Sequence, residues 1–129
     1  MASRSTFTVP GDIPERTSWR YTCTLKDDLD QPIPAAALTS LLLTLYVRTG
    51  GNPIINSVDH VNILNLDRGS VGTSDGSLTI RFHAADTPIL IDSATSETHV
   101  ALLQGTYNGG QDGFNREIVH RVTNLARVT

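Results

Sequence analysis

One cysteine, one lysine, one methionine and one tryptophan occur among the 129 residues, and only seven residues are aromatic. Each shortage removes a class of protein. With Cys23 alone, neither an intramolecular disulfide nor a thiolate metal cluster can form. Its place in the alternation Trp19, Tyr21, Cys23, Leu25 makes it a buried thiol rather than a nucleophile. The ten basic residues are nine arginines and Lys26, and the net charge is −3. A chain held to nucleic acid by neutralising phosphates needs a clear basic excess, so that class is excluded. Arginine's planar fork suits carboxylate pairing at interfaces, although a GC-rich genome would give the same bias. The longest apolar stretch, residues 41–47, is far too short to cross a bilayer. Residues 1–6 have no apolar segment of the kind a secretory signal requires. A soluble protein made in a cytoplasm is the expectation.

What remains is a strand-rich chain of one domain's length. Residues 18–26 alternate strictly, with Trp19, Tyr21, Cys23 and Leu25 against Arg20, Thr22, Thr24 and Lys26, which predicts a half-buried strand. Asp27-Asp28-Leu29-Asp30-Gln31-Pro32 follows as a turn. Residues 40–48 are apolar on both faces at their start and predict a central strand. A helix competes over residues 35–45, but the later Thr44, Tyr46 and Val47 favour a strand. Ile54-Ile55-Asn56 reads as a short strand after a turn at residues 50–53, and residues 69–76 read as a polar loop. Leu78, Ile80 and Phe82 mark a further strand, after which Ile89-Leu90-Ile91 packs without making a central one. Residues 97–107 form a second central strand, residues 108–113 a hairpin loop, and residues 116–124 the returning strand.

The sum is an all-β antiparallel sandwich, immunoglobulin-like or jelly-roll-like, with six or seven strands and no long helix. Trp19, Tyr21, Leu43, Leu45, Ile80, Phe82, Leu102 and Val122 are the expected core. Residues 18–129 make the sandwich. Residues 1–17, with Pro10, Gly11 and Pro14, read as an extended arm in which Phe7, Val9, Pro10 and Ile13 are the partner-binding candidates. The rival reading makes Phe7-Thr8-Val9 the first strand of the chain's own sandwich.

Chemistry is hard to find. No two of His60, His83, His99 and His120 stand at helical i, i+4 spacing. Glu97 and His99 share a strand face that His120 could reach across the Gly-rich hairpin. Three such residues more often make a hydrogen-bonded cluster than a metal site, which needs further ligands. There is no Gly-x-Ser-x-Gly elbow and no phosphate-binding glycine motif, and the Asp27-Asp28 pair sits in a solvated turn. No catalytic, cofactor-binding or metal-binding residues are assigned, and no cofactor is expected. A small-ligand or carbohydrate-binding module is an alternative, but it wants exposed aromatics, which are scarce here.

One succession of residues bears a family likeness. An early strand with Leu25-x-Asp27 leads to Gln31-Pro32-Ile33, then to Leu38-Thr39-Ser40-Leu41-Leu42-Leu43-Thr44-Leu45-Tyr46, with Thr49-Gly50 and Ile54-Ile55-Asn56 after it. Gly76-Ser77-Leu78-Thr79-Ile80 and Asp86-Thr87 follow, and the chain closes on Glu97-Thr98-His99-Val100-Ala101-Leu102-Leu103 and Val122-Thr123-Asn124-Leu125. Over residues 18–127 this resembles small immunoglobulin-like sandwich proteins encoded among the virion genes of tailed bacteriophages. The resemblance implies a non-enzymatic virion structural protein assembled in the host cytoplasm. A subunit that decorates or stabilises the head is preferred over a neck, tail or baseplate adaptor. Its implied partners are other virion proteins, the major capsid protein or neck and tail subunits, and a homo-oligomer is expected. Neither nucleic acid nor membrane is an expected partner. Because the sequence stops at Thr129, a stand-alone subunit is expected rather than a complete fibre.

Overall fold

The computed structural model describes residues 2–48, 51–90 and 95–124, with side chains from Thr6 onward. Eight strands form two sheets: β1 (Ala2–Pro14), β2 (Trp19–Thr24), β3 (Leu38–Val47), β4 (Val61–Asn62), β5 (Gly69–Val71), β6 (Ser77–Phe82), β7 (Ser96–Tyr107) and β8 (Asp112–Thr123). The larger sheet runs β1-β8-β7-β3-β4 and the smaller β2-β6-β5. Two single-turn 3-10 segments, Ala35–Ala37 and Ala84–Asp86, are the helical content of the described residues. The protein is an all-β sandwich. The second, sixth and fifth strands make one sheet and the first, eighth, seventh, third and fourth the other. No disulfide ties the sheets, since Cys23 on β2 is the single cysteine.

The alternations read from the sequence set which side chains turn inward. On β3, Leu41, Leu43, Leu45 and Val47 are buried against Leu78, Ile80 and Phe82 of the smaller sheet, and β7 adds Ala101 and Leu103. Both β3 and β7 are central in their sheet, as expected. Six of the eight expected core residues are buried, and Trp19 and Leu102 are half-buried. Trp19 stacks on its cross-strand neighbour Phe82 with centroids 4.3 Å apart. Leu102 lies on the outer face of its sheet, opposite Thr44 and Glu117. The residues of β7 that turn inward are His99, Ala101 and Leu103, and a period of two puts Leu102 on the other side.

The N-terminal segment departs most from expectation. Instead of an arm outside the body, residues 2–14 are β1, hydrogen-bonded in parallel to β8 of the same chain, from Ala2 opposite Gly113 to Pro14 opposite Thr123. The sandwich therefore includes residues assigned to the arm, and the larger sheet is mixed rather than antiparallel. Between Thr8 and Asp12 the strand bulges, with Gly11 at φ +77°. A Cβ on Gly11 would meet nothing, so it is the backbone conformation that favours glycine here. Both prolines are tolerated because β1 is an edge strand, whose outward N–H groups need no ladder partner.

Smaller corrections follow from packing. The segment expected as a polar loop begins with β5, where Gly69 sits so close to Ile63 that a Cβ would strike its carbonyl oxygen at 2.2 Å. Ile54 makes only an isolated bridge to Tyr46 rather than a strand. Gly50 of the turn expected at residues 50–53, Ile91 and the Leu125 ending lie outside the described residues.

Candidate interaction surface

The fold brings Glu97, His99 and His120 together, and it seals them in. His99 stands opposite His120 on β7 and β8, and all three residues are buried. His99 Nε2 donates to Glu97 Oε1 at 3.0 Å, and the same oxygen accepts from the Leu90 amide at 3.0 Å. The His120 ring packs against Trp19, with centroids 4.8 Å apart, and meets His99 edge-on at 5.6 Å. Burial lowers the affinity of both imidazoles for a proton. His120, which also faces His99, falls to a pKa of about 4. The Nδ1 atoms of both rings are buried and have no hydrogen-bond partner among the described residues. The group is thus a neutral pair of rings held by one carboxylate inside the sandwich. Among the described residues, no group of three or more His, Cys, Asp or Glu side chains is arranged to hold a metal ion. Cys23 is half-buried, and that burial pushes its thiol pKa up, away from thiolate chemistry.

The four N-terminal candidates separate. Ile13 is buried opposite Val122, so it belongs to the chain's own core rather than to a partner's pocket. Its side chain faces the interior because Asp12, its neighbour, is turned outward to Arg121, whose guanidinium grips the carboxylate at 2.7 and 3.0 Å. Val9 packs partly against the core, and Pro10 is exposed in the bulge. Phe7 is 41% exposed and leans on Tyr21 with centroids 5.4 Å apart.

Comparison of the chain with family models, curated proteins and solved structures finds no match. Its surface must be read on physical grounds alone.

Two strands on the same flank end their sheets, β1 and β2. They are not equivalent edges. β1 carries Pro10, Pro14 and a bulge, devices that discourage a further strand from pairing. β2 carries none of them over six residues. Its outward groups follow from alternation. The Leu25 amide bonds to Gly76 O at 2.7 Å, while its carbonyl accepts from the Ile33 amide at 2.9 Å; in that phase Cys23, Tyr21 and Trp19 direct their N–H and C=O groups to β6. On the far side of β6, Arg81 N bonds to Arg68 O of the segment entering β5, which agrees with that phase. The backbone groups of Arg20, Thr22 and Thr24 therefore point away from the sheet, where no strand of the described residues pairs.

The outer face of the smaller sheet is flat and rich in hydroxyls, with Thr22 opposite Thr79 and Thr24 opposite Ser77. At one end Arg20 stands directly opposite Arg81. Both are exposed, and among the described residues neither has an ion-pair partner. Arg68 nearby is committed to the buried Asp86, which also accepts from Asn56 Nδ2 and the His83 amide at 2.8 Å each. Sequence reading missed this surface. The alternation of residues 18–26 put Arg20 on a wet face, but its pairing with Arg81 depends on a register set 61 residues away.

Proposed function

We propose that this chain is a non-enzymatic structural subunit that binds other protein subunits by accepting a partner strand at the β2 edge. The observation that carries this reading is the unprotected edge itself. Three successive outward-facing positions, Arg20, Thr22 and Thr24, offer backbone donors and acceptors with no Pro or bulge among them, and no other strand of the described residues pairs there. An added strand gains main-chain hydrogen bonds there, and alternate side chains read the neighbouring surface. The likeness of residues 18–127 to small virion sandwiches supports placing it on a tailed-phage particle. There it decorates or stabilises the head in preference to joining the neck, tail or baseplate, and its partners are the major capsid protein or its own copies.

Thr22→Pro tests the strand-accepting edge. It removes an outward N–H and leaves the β2–β6 ladder its donors. Purified particles should carry the wild-type chain in stoichiometric copies on sedimentation, and the variant should be lost from them while its melting temperature stays close to the wild type. Retention of the variant at wild-type copy number would refute the edge as the binding site.

A further inference from the structure

The two most exposed large apolar side chains among the described residues are Leu29, at 76%, and Leu66, at 59%. Leu29 sits among carboxylates, and Leu66 beside a hollow that holds three arginines and one carboxylate, Asp67. Leu29 is the tip of the turn between β2 and β3, flanked by Asp28 and Asp30. Leu66 borders a hollow of about 310 Å3 whose walls include Arg20, Arg81, Ser70 and Thr79.

The turn is built to hold its shape. The Asp27 carboxylate accepts from the amides of Leu29 and Gln31 at 2.9 Å each, and the turn is closed by Asp30 N to Asp27 O at 3.0 Å. Lys26 and Pro32 bridge its base. Such a knob loses little entropy on docking. Lys26 Nζ lies 3.6 Å from Asp30, but both side chains are exposed, and such a pair exchanges partners at little cost. At the hollow, Arg20 and Arg81 oppose each other across the ladder, an arrangement that is unfavourable until a carboxylate neutralises it. Asp67 on the rim is engaged by His83 Nε2 at 2.9 Å, and Arg68 by Asp86.

The geometry points to a second copy of this chain as the occupant: the Asp28-Leu29-Asp30 knob of one subunit docks on the Arg20–Arg81 pair of the next, with Leu29 against Leu66. The same chain cannot make this contact. The knob and the arginines lie at opposite ends of β2, with seven residues of strand and turn between Arg20 and Asp28, roughly 20 Å along the strand direction. Two copies can make the contact reciprocally, each knob on the other's arginines, or pass it on from copy to copy. A knob of this size buries less than the ~1,000 Å2 of a stable interface, so each joint is weak alone and gains strength from neighbours in an array. The inference deepens the reading of the chain as a structural subunit, and it is tested on the isolated protein, so it can fail while particle binding at β2 survives.

Sedimentation equilibrium of the purified chain at low salt, up to about millimolar concentration, gives the test. The weight-average mass should rise above the 13.9 kDa monomer. Arg20→Glu/Arg81→Glu and Asp28→Arg/Asp30→Arg should each raise the concentration needed for association at least tenfold, and mixing the two variants should restore it. Leu29→Ser, at an exposed tip that cannot unfold the domain, should weaken association on its own. A wild-type chain that remains monomeric would overturn the proposal, as would association that neither charge reversal alters.

Discussion

His99 and His120 face each other across the β7–β8 ladder, their rings 5.6 Å apart, and of the two only His99 is hydrogen-bonded to a carboxylate, that of Glu97. His120 cannot take up a proton without placing a charge beside Trp19 and Phe82. This makes the sandwich's stability depend on pH. In the folded protein His120 titrates at about 4, below its ordinary value of 6.5. Between those values the unfolded chain binds more protons than the folded one. Stability present above pH 6.5 should therefore be lost as pH falls toward 4, by on the order of 3 kcal/mol from this residue. Denaturant unfolding across that range should show the loss, and His120→Gln should flatten most of it.

Arg68 and Asp86 form a largely buried ion pair, with Asn56 and the His83 amide completing the carboxylate's hydrogen bonds. Breaking one side leaves a charge in a poor dielectric without compensation. Asp86→Ala should cost about 3–5 kcal/mol in equilibrium unfolding, and Asp86→Ala/Arg68→Met should cost less than the sum of the two single changes.

Gly105 on β7 lies under the ring of Phe114 on β8, its cross-strand partner, and a Cβ there would sit 2.3 Å from the ring carbons. Gly105→Ala should destabilise by about 1–3 kcal/mol, because the buried ring must move within a packed core. Gly105→Ala/Phe114→Leu should recover part of that loss, and thermal melts of the two variants beside the wild type check it.

β1 contributes a full edge to the larger sheet, with Phe7 over Tyr21 and Ile13 beside Val122. Deleting residues 1–10 should lower the melting temperature of the isolated protein by more than about 5 °C. An unchanged melting temperature with lost particle binding would instead return the segment to the role of an assembly arm.

Local alternation was sufficient to read β2, β3, β6, β7 and β8 from the sequence. A period of two in Trp19, Tyr21, Cys23 and Leu25, or in Ile118, His120 and Val122, reports one wet and one dry face without reference to the rest of the chain. Runs apolar on both faces identified β3 and β7 as central for the same reason. The Glu97, His99 and His120 grouping was also legible, because a hairpin loop sets the β7–β8 register locally. What only the tertiary structure decided is long-range. β1 pairs in parallel with a strand more than 100 residues away, and no local connection can announce such a pairing. Strands as short as β4 and β5 carry too few residues to show a period, and exist because neighbours supply their hydrogen bonds. The opposition of Arg20 to Arg81 and the open edge of β2 likewise arise from which strands lie side by side, a choice made by burial of the whole core rather than by either segment's own residues.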